Sequence, residues 1–265
     1  MTILVTGATG GIGRLVVDAL IRRGATGIRA LTVNPERAQL PPGVEVARGY
    51  VGKPETLSAA LEGVERMYLA PVPETAAQAL EVARTAGVSR VVDLSGGGHW
   101  QEMADAVEAS GIPWTHLGPG EFMWNFAMWA DEIRADGEVR DPHPEAANAP
   151  IDEIDIADVA AAALLEDGHV GKYYDMTGPE TLTRAQMLSH IAAALGRDIP
   201  MVKISREEAI ERLRPGMGEF AEWFVDTHGE LVGNPQQPSG VVEEILGRPG
   251  TTFAAWARRN VAQFR

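Results

Sequence analysis

The amino-acid sequence predicts an α/β protein built on a doubly wound parallel sheet. Short apolar runs bounded by turn residues alternate with segments of helical periodicity through the first half, and a glycine-rich turn joins the first run to the first helical segment. Strands that alternate with helices pair in parallel through right-handed crossovers. With 265 residues, the chain is long enough to bury about 75% of its unfolded surface without disulfides or metals.

Residues 3–6 (ILVT) read as a buried strand. Ile12, Leu15, Val16, Ala19 and Leu20 then recur at helical spacing until Gly24 stops the pattern. Residues 28–33, 44–49, 66–70, 91–95 and 114–117 read as further strands, with helical patterns over 55–61 and 76–86 among the gaps. After Gly118 the character changes. A helix-like segment dense in large apolar side chains (PGEFMWNFAMWADEI) leads into a proline-bearing loop over 141–150. Another helix over 156–164 and a strand over 172–178 follow. The remainder reads as mostly helical, apart from a strand at 202–204. The predicted organisation is a core over residues 1–118, rejoined by about 151–178, with a smaller, mostly helical lobe from 119–150 and 179–265. Asp155 and Asp158 read as a helix N-cap and an acidic first-turn residue.

The segment TGATGGIG places glycines as Gly7-x-x-Gly10-x-x-Gly13 between the first strand and the first helix. One glycine permits a tight turn, one a close approach of backbone to a pyrophosphate, and one close helix–strand packing. The helix N-terminus adds unpaired N–H groups and the positive end of a dipole. In this context the pattern predicts a Rossmann-type dinucleotide site, with Gly7, Thr9, Gly10, Gly11, Ile12 and Gly13 at the phosphates. Ala70, Pro71, Ser95 and Gly96, after the fourth and fifth strands, complete the expected cofactor set. At the end of the second strand stand Thr32, Val33 and Asn34, then Arg37. With no carboxylate there to hold ribose hydroxyls, and a guanidinium in reach of a 2′-phosphate, Asn34 and Arg37 point to NADP (as NADPH) over NAD.

Composition narrows the partners. A formal charge of −14 disfavours nucleic acid and anionic membranes, and no apolar stretch reaches the roughly 18 residues of a membrane span. The absence of cysteine excludes thiolate chemistry and fits a reducing compartment, so a cytoplasmic location is expected. Residues 141–145 (DPHPE) lack metal-ligand spacing and read as loop, so no metal is expected.

No tyrosine and lysine stand at the Tyr-x-x-x-Lys spacing by which a phenol protonates a developing alkoxide. Hydride transfer itself needs only a positioned nicotinamide and an electrophile in a dry pocket. Quinones and other conjugated acceptors, whose reduced forms are stabilised anions, suit such a site. Trp100, Phe122, Met123, Trp124 and Asn125 are the candidate substrate residues. Phe122, Phe126 and Trp129 also fit a packed helix seam, leaving Met123 and Trp124 off it. His99, after SGGG at the end of the fifth strand, is the candidate proton donor, with water as the alternative.

TGATGGIG, RALTVNPERA, GIPWTHLGPGEFMWN, IDEIDIADVAAAAL, GKYYDMTGPETLT and LGRPGTTFAAWARRN together resemble, in order, the atypical short-chain dehydrogenase/reductases of the NmrA-like type. That resemblance implies an NAD(P)H-dependent reductase of quinones, azo compounds or triphenylmethane dyes, and gives Asn125 a place either at the substrate or holding the backbone. It also leaves room for a dinucleotide-binding sensor that does not turn over, or an isomerase with bound cofactor. The chain departs from the family at Val33, where an arginine favouring NADPH is frequent, at Tyr50, a frequent aspartate, and at Trp124, a common acidic position. The expected function is hydride transfer from NADPH to a quinone-like aromatic acceptor, in a monomer or homodimer.

Overall fold

The computed structural model describes residues 1–95 and 100–265. Gly96, Gly97, Gly98 and His99 lie outside the described residues, and with them the assignments of Gly96 to cofactor and His99 to proton transfer.

In chain order come β1 (Ile3–Val5), α1 (Gly11–Arg22), β2 (Ile28–Thr32), β3 (Glu45–Arg48), β4 (Arg66–Leu69), α2 (Ala76–Thr85), β5 (Arg90–Leu94), α3 (Gln101–Ala109) and β6 (Trp114–Pro119). Next are α4 (Ala130–Ala135), β7 (Val139–Asp141), β8 (Ala147–Asn148), α5 (Glu153–Leu165), β9 (Lys172–Met176), β10 (Leu182–Thr183) and α6 (Arg184–Leu195). The described elements end with β11 (Met201–Lys203), α7 (Arg206–Met217), α8 (Phe220–Glu230), α9 (Val241–Leu246) and α10 (Phe253–Arg259). The chain divides into two compact units. Met1–Pro119, Glu153–Met176 and Val241–Arg248 form the first; Gly120–Asp152, Thr177–Gly240 and Pro249–Arg265 form the second.

The first unit holds a seven-stranded sheet in the order β3-β2-β1-β4-β5-β6-β9, with every pairing parallel. The run 3-2-1-4-5-6 is the Rossmann order, which reverses between β1 and β4 and opens a crevice at the carboxyl ends of those strands. β1 and β4 are covered on both faces, so Ile3, Leu4, Val5, Met67, Tyr68 and Leu69 are all buried. This is why they read as continuous apolar runs rather than alternating ones. The edge strand β3 instead carries exposed Glu45 and Arg48, charges that discourage edge-to-edge pairing. α5 is buried nearly all round, from Asp155 through Leu164 with one intermediate position. Its four consecutive alanines, Ala160 to Ala163, let α1 and α9 pack closely against it.

Three expectations are corrected here. The predicted helix over 55–61 is a 3₁₀ turn, Pro54–Thr56, followed by further turns. Pro54 and Gly63 (φ +70°) leave too short a stretch for stable α-helical turns, although Leu57, Ala60 and Leu61 still bury as a helix face would. Residues 241–248 belong to the first unit, not the second lobe, because Arg248 is tied to α5: it donates to Asp155 at 2.8 Å and to Asp158 at 2.7 Å. Asp155 is accordingly no N-cap. It sits inside the first turn of α5, fully buried, as the partner of that guanidinium.

The second unit packs around Met123, Phe126, Trp129, Ile133, Val139, Met187, Ile191, Phe253, Trp256 and Phe264. Phe126 meets Trp129 edge-on at 5.0 Å and Phe253 at 5.1 Å, a favoured aromatic geometry. The segment Met123–Trp129 is a 3₁₀ helix, whose three-residue turn stacks positions 123, 126 and 129 on one face. The expected α-helical seam of Phe122, Phe126 and Trp129 is therefore corrected: Met123 replaces Phe122 in it. α6 starts with a reciprocal capping box between Thr183 and Gln186 and stops at Gly196, in the left-handed region. β10 pairs with β8 antiparallel, and β11 with β7 parallel.

The ion pairs on α5 differ in burial and so in expected worth. Arg248→Met removes the guanidinium bonded to the fully buried Asp155 carboxylate and should lower unfolding free energy by about 2–4 kcal/mol. Arg22→Met removes only a half-exposed partner of Asp158 and should cost under about 1 kcal/mol. Urea unfolding of both variants checks the contrast, and equal losses would contradict it.

Candidate functional site

The crevice at the reversal point is built from backbone. Thr6, at the end of β1, is fully buried and its Oγ1 accepts the N–H of Ala70 at 2.7 Å, latching the end of β1 to the end of β4. Gly7 then takes φ +60°, the left-handed region that costs glycine nothing. The turn closes when the Gly10 N–H donates to the Gly7 carbonyl at 2.9 Å. A Cβ at Gly13 would stand 2.2 Å from that same carbonyl, so helix and turn approach as closely as only glycine allows. Gly11 meets no such limit.

α1 begins at Gly10 with no side-chain cap and no acidic residue in its first turn. Its leading N–H groups and positive dipole end are therefore left for a ligand. Gly7, Thr9, Gly10 and Gly11 are exposed and Ile12 is partly so, while Gly13 is buried beneath them. This cradle fits a diphosphate.

Around the end of β2, Thr32 Oγ1 accepts the Asn34 N–H at 3.3 Å and lies 3.4 Å from Thr9 Oγ1. Asn34 and Arg37 are exposed. Two neighbouring guanidiniums are committed: Arg48 to Glu36 and the Val33 carbonyl, and Arg14 to Asp18 and the Gln39 carbonyl. Arg37 forms no ion pair among the described residues. Arg14 was not singled out in the sequence; its place directly after Gly13 was the available signal. Val33 and Tyr50 are both about half exposed, at 56% and 46%, leaving two apolar surfaces beside this end of the crevice. Ala70 and Pro71 are half-buried past β4.

Beyond β5 the site acquires a buried polar cluster that sequence reading missed. Asp93 on β5 and His116 on β6 face each other in register and are both buried. His116 Nδ1 lies 2.7 Å from Asp93 Oδ1. Ser95 Oγ donates to the other oxygen, Asp93 Oδ2, and stands 3.3 Å from His116 Nδ1. His116 Nε2 faces Glu108 at 3.4 Å without hydrogen-bond geometry, and its ring stacks on Trp114 at 4.0 Å. The polar letters within VVDLS and WTHL, both buried strands, were the signal. The serine proton goes to the carboxylate rather than to the imidazole, so this is no acyl-transfer triad. Its effect is to hold the Ser95 hydroxyl fixed at the carboxyl end of β5.

Burial pushes the Asp93 carboxyl up against the opposing pull of His116 and Ser95. Burial would lower His116, but its bond to Asp93 and the charges of Asp93 and Glu108 outweigh it, and the imidazole is raised. Tyr68, adjacent to Asp93, is pushed up by burial and by that carboxylate, so it stays a phenol.

Of the candidate substrate residues, Trp100 belongs to the first unit and is 40% exposed. Phe122, Met123, Trp124 and Asn125 belong to the second. Trp124 and Asn125 are exposed, Phe122 is half-buried, and Met123 is buried in the second unit's core. Met123 is thus corrected from pocket wall to core by the 3₁₀ stacking. Among the described residues no group of acidic and histidine side chains could hold a metal.

The raised His116 gives a pH dependence of definite sign. A folded-state pKa above the unfolded value, about 6.5, contributes stability that is full below that value and drains as pH climbs through the folded one. Raising pH from about 6 to 9 should therefore lower the stability of the wild-type protein relative to His116→Gln. Parallel urea-midpoint curves for the two proteins would refute this.

Residues 7–167 match the model of a family described as NAD(P)H-binding. The chain is 35% identical to an NAD(P)H azoreductase of Xenophilus azovorans, covering 99% of each chain. It is 33% identical, again over 99% of each, to a (4-alkanoyl-5-oxo-2,5-dihydrofuran-3-yl)methyl phosphate reductase of Streptomyces griseus. Its fold superposes with TM-score 0.86 on the NADPH-complexed quinone oxidoreductase QOR2 of Escherichia coli, at 24% identity over 97% of this chain and 99% of that one. With the glycine cradle in place and the family match spanning more than half its length, the chain belongs to the NAD(P)H-binding family.

Proposed function

We propose that this protein is an NAD(P)H-dependent reductase that passes hydride to a quinone or other conjugated aromatic acceptor, with NADPH preferred. The observation that carries the reading is the uncapped N-terminus of α1, with Gly13 packed against the Gly7 carbonyl. Full-length relatives named as reductases of an azo substrate and of an unsaturated furanone phosphate support the acceptor class.

The bound nicotinamide supplies the hydride. The protein's part would be placement: α1 N–H groups and the residue 7–13 turn would hold the diphosphate, and Arg37 with Asn34 would meet a 2′-phosphate. Ser95, fixed by Asp93 and His116 at the end of β5, is the hydroxyl that would serve the nicotinamide. Without a Tyr-x-x-x-Lys pair, the proton that completes the two-electron reduction comes from water or from a side chain such as His99. An acceptor whose reduced form is a stabilised anion needs no stronger acid. Trp100 in the first unit, and Phe122, Trp124 and Asn125 in the second, each keep the substrate role that the sequence proposes for them.

The net charge of −14 supports small-molecule rather than nucleic-acid partners, and no described helix is long and apolar enough to cross a membrane. We place the protein in the cytoplasm as a monomer or homodimer. The missing dyad also motivates a second reading, a redox sensor that binds NADPH without turnover.

Two measurements test the proposal. Arg37→Ala should weaken NADPH binding about tenfold, roughly 1.4 kcal/mol, and leave NADH unchanged; an unaltered NADPH/NADH ratio would remove Arg37 from the site. NADPH oxidation followed at its nicotinamide absorbance should proceed with 1,4-naphthoquinone or an azo dye and not with simple ketones. Tight NADPH binding with no turnover on any conjugated acceptor would favour the sensor.

A further inference from the structure

The rim that begins at the glycine turn continues outward over the ends of β2 and β3. Thr32, the last residue of β2, pairs with Arg48, the last of β3, and the Gly49 N–H extends the ladder by donating to the Thr32 carbonyl at 3.0 Å. Thr32 Oγ1 stands 3.4 Å from Thr9 Oγ1 and so ties this end of the rim to the glycine turn. Just past the two strand ends come Val33 and Tyr50, 56% and 46% exposed.

Single exposed apolar side chains are ordinary on a protein surface. Tyr50 differs because its backbone is fixed and a neighbour makes room for its ring. Its N–H donates to Thr56 Oγ1 at 3.0 Å, and its carbonyl accepts the Lys53 N–H at 2.8 Å. Val51, the next residue, is buried in the first unit's core, and its carbonyl accepts from Thr75 Oγ1 at 2.9 Å. The ring then lies against Gly52, where a Cβ would stand 2.4 Å from Tyr50 Cε1 and 2.7 Å from Cζ. Gly52 does not take a left-handed φ, so the ring, and not the backbone's own conformation, is what excludes a side chain there. Two polar side chains close by are already engaged: Thr56 Oγ1 donates to the Lys53 carbonyl at 2.7 Å, and Arg48 is held by Glu36 and the Val33 carbonyl. What this stretch offers a ligand is therefore a flat aromatic surface, seated on peptide on one side and open on the rest.

In a Rossmann fold the diphosphate sits at the N-terminus of the first helix and the adjoining ribose at the end of the second strand. The base carried by that ribose is thereby directed toward the next strand out, which here is β3. Stacking needs only a π-face, and a ring already held in place loses little freedom when it is covered. We infer that Tyr50, seated on Gly52, is the stacking platform for the purine base of the bound dinucleotide, with Val33 as its apolar neighbour. The inference rests on the dinucleotide site and not on the acceptor or on turnover.

Calorimetric titration of the full chain with adenosine 2′,5′-bisphosphate tests it, with inorganic pyrophosphate as the probe that lacks a base. Tyr50→Ala should weaken the bisphosphate about tenfold and leave pyrophosphate unchanged, while Tyr50→Phe, which keeps the ring, should stay within about twofold of wild type. Gly52→Ala, whose methyl group displaces the ring, should reproduce the loss of Tyr50→Ala and add nothing to it in the double variant, as coupled positions do. Unchanged bisphosphate binding in Tyr50→Ala would overturn the platform and leave the dinucleotide site standing. An equal loss of pyrophosphate would overturn it too, because the ring would then be acting on the turn and not on the base. A wild-type chain that binds neither the bisphosphate nor NADPH would remove the dinucleotide site and the inference with it.

Discussion

The contact between Gly13 and the Gly7 carbonyl is the constraint on which the rest of the first unit's site depends. It draws the N-terminus of α1 against the carboxyl end of β1, where a Cβ would otherwise stand 2.2 Å from an oxygen. With the helix held there, the topology does the remaining work. The sheet order reverses between β1 and β4, so the Thr6–Ala70 latch, Pro71 and Ser95 fall along one rim. The site is thus made mainly from backbone donors, which explains how a chain of net charge −14 accommodates an anionic dinucleotide.

A second, quieter constraint is the Asp93–His116 pair inside the sheet. The two polar residues on adjacent buried strands offset part of their burial cost by bonding each other through Nδ1 and Oδ1, with Ser95 on the second carboxylate oxygen. Their exact opposition in the register supplies that bond and makes a one-residue slip between β5 and β6 costly. The same pair orients Ser95, so a feature that specifies strand pairing also fixes a hydroxyl at the rim.

Much of this was legible in the sequence. The strands of the seven-stranded sheet were, most plainly β1 and β4, which are buried on both faces and so apolar throughout; β7, β8 and β10, two or three residues each, were not, and β8 lies in the stretch read as a loop. The phosphate turn was, because its spacing has one structural use in that position. The helix over 55–61 was misread since Leu57, Ala60 and Leu61 bury at helical spacing without forming a helix. Met123 was misplaced for a related reason: a 3₁₀ segment repeats every three residues, and apolar side chains occupy nearly every position there, so periodicity alone does not choose between seams. Asp93 and His116 are 23 residues apart, and their partnership exists only once the register of two strands is known.

The closing of α9 onto α5 by Arg248 has a temporal consequence. The first unit is not a contiguous stretch of chain: its last piece, Val241–Arg248, is synthesised only after most of the second unit has emerged. Until then Asp155 lacks the Arg248 guanidinium that it bonds in the folded protein. Loop closure over this separation is slow relative to local contacts. The amino-terminal unit therefore cannot make its full set of contacts before residue 248 has been added.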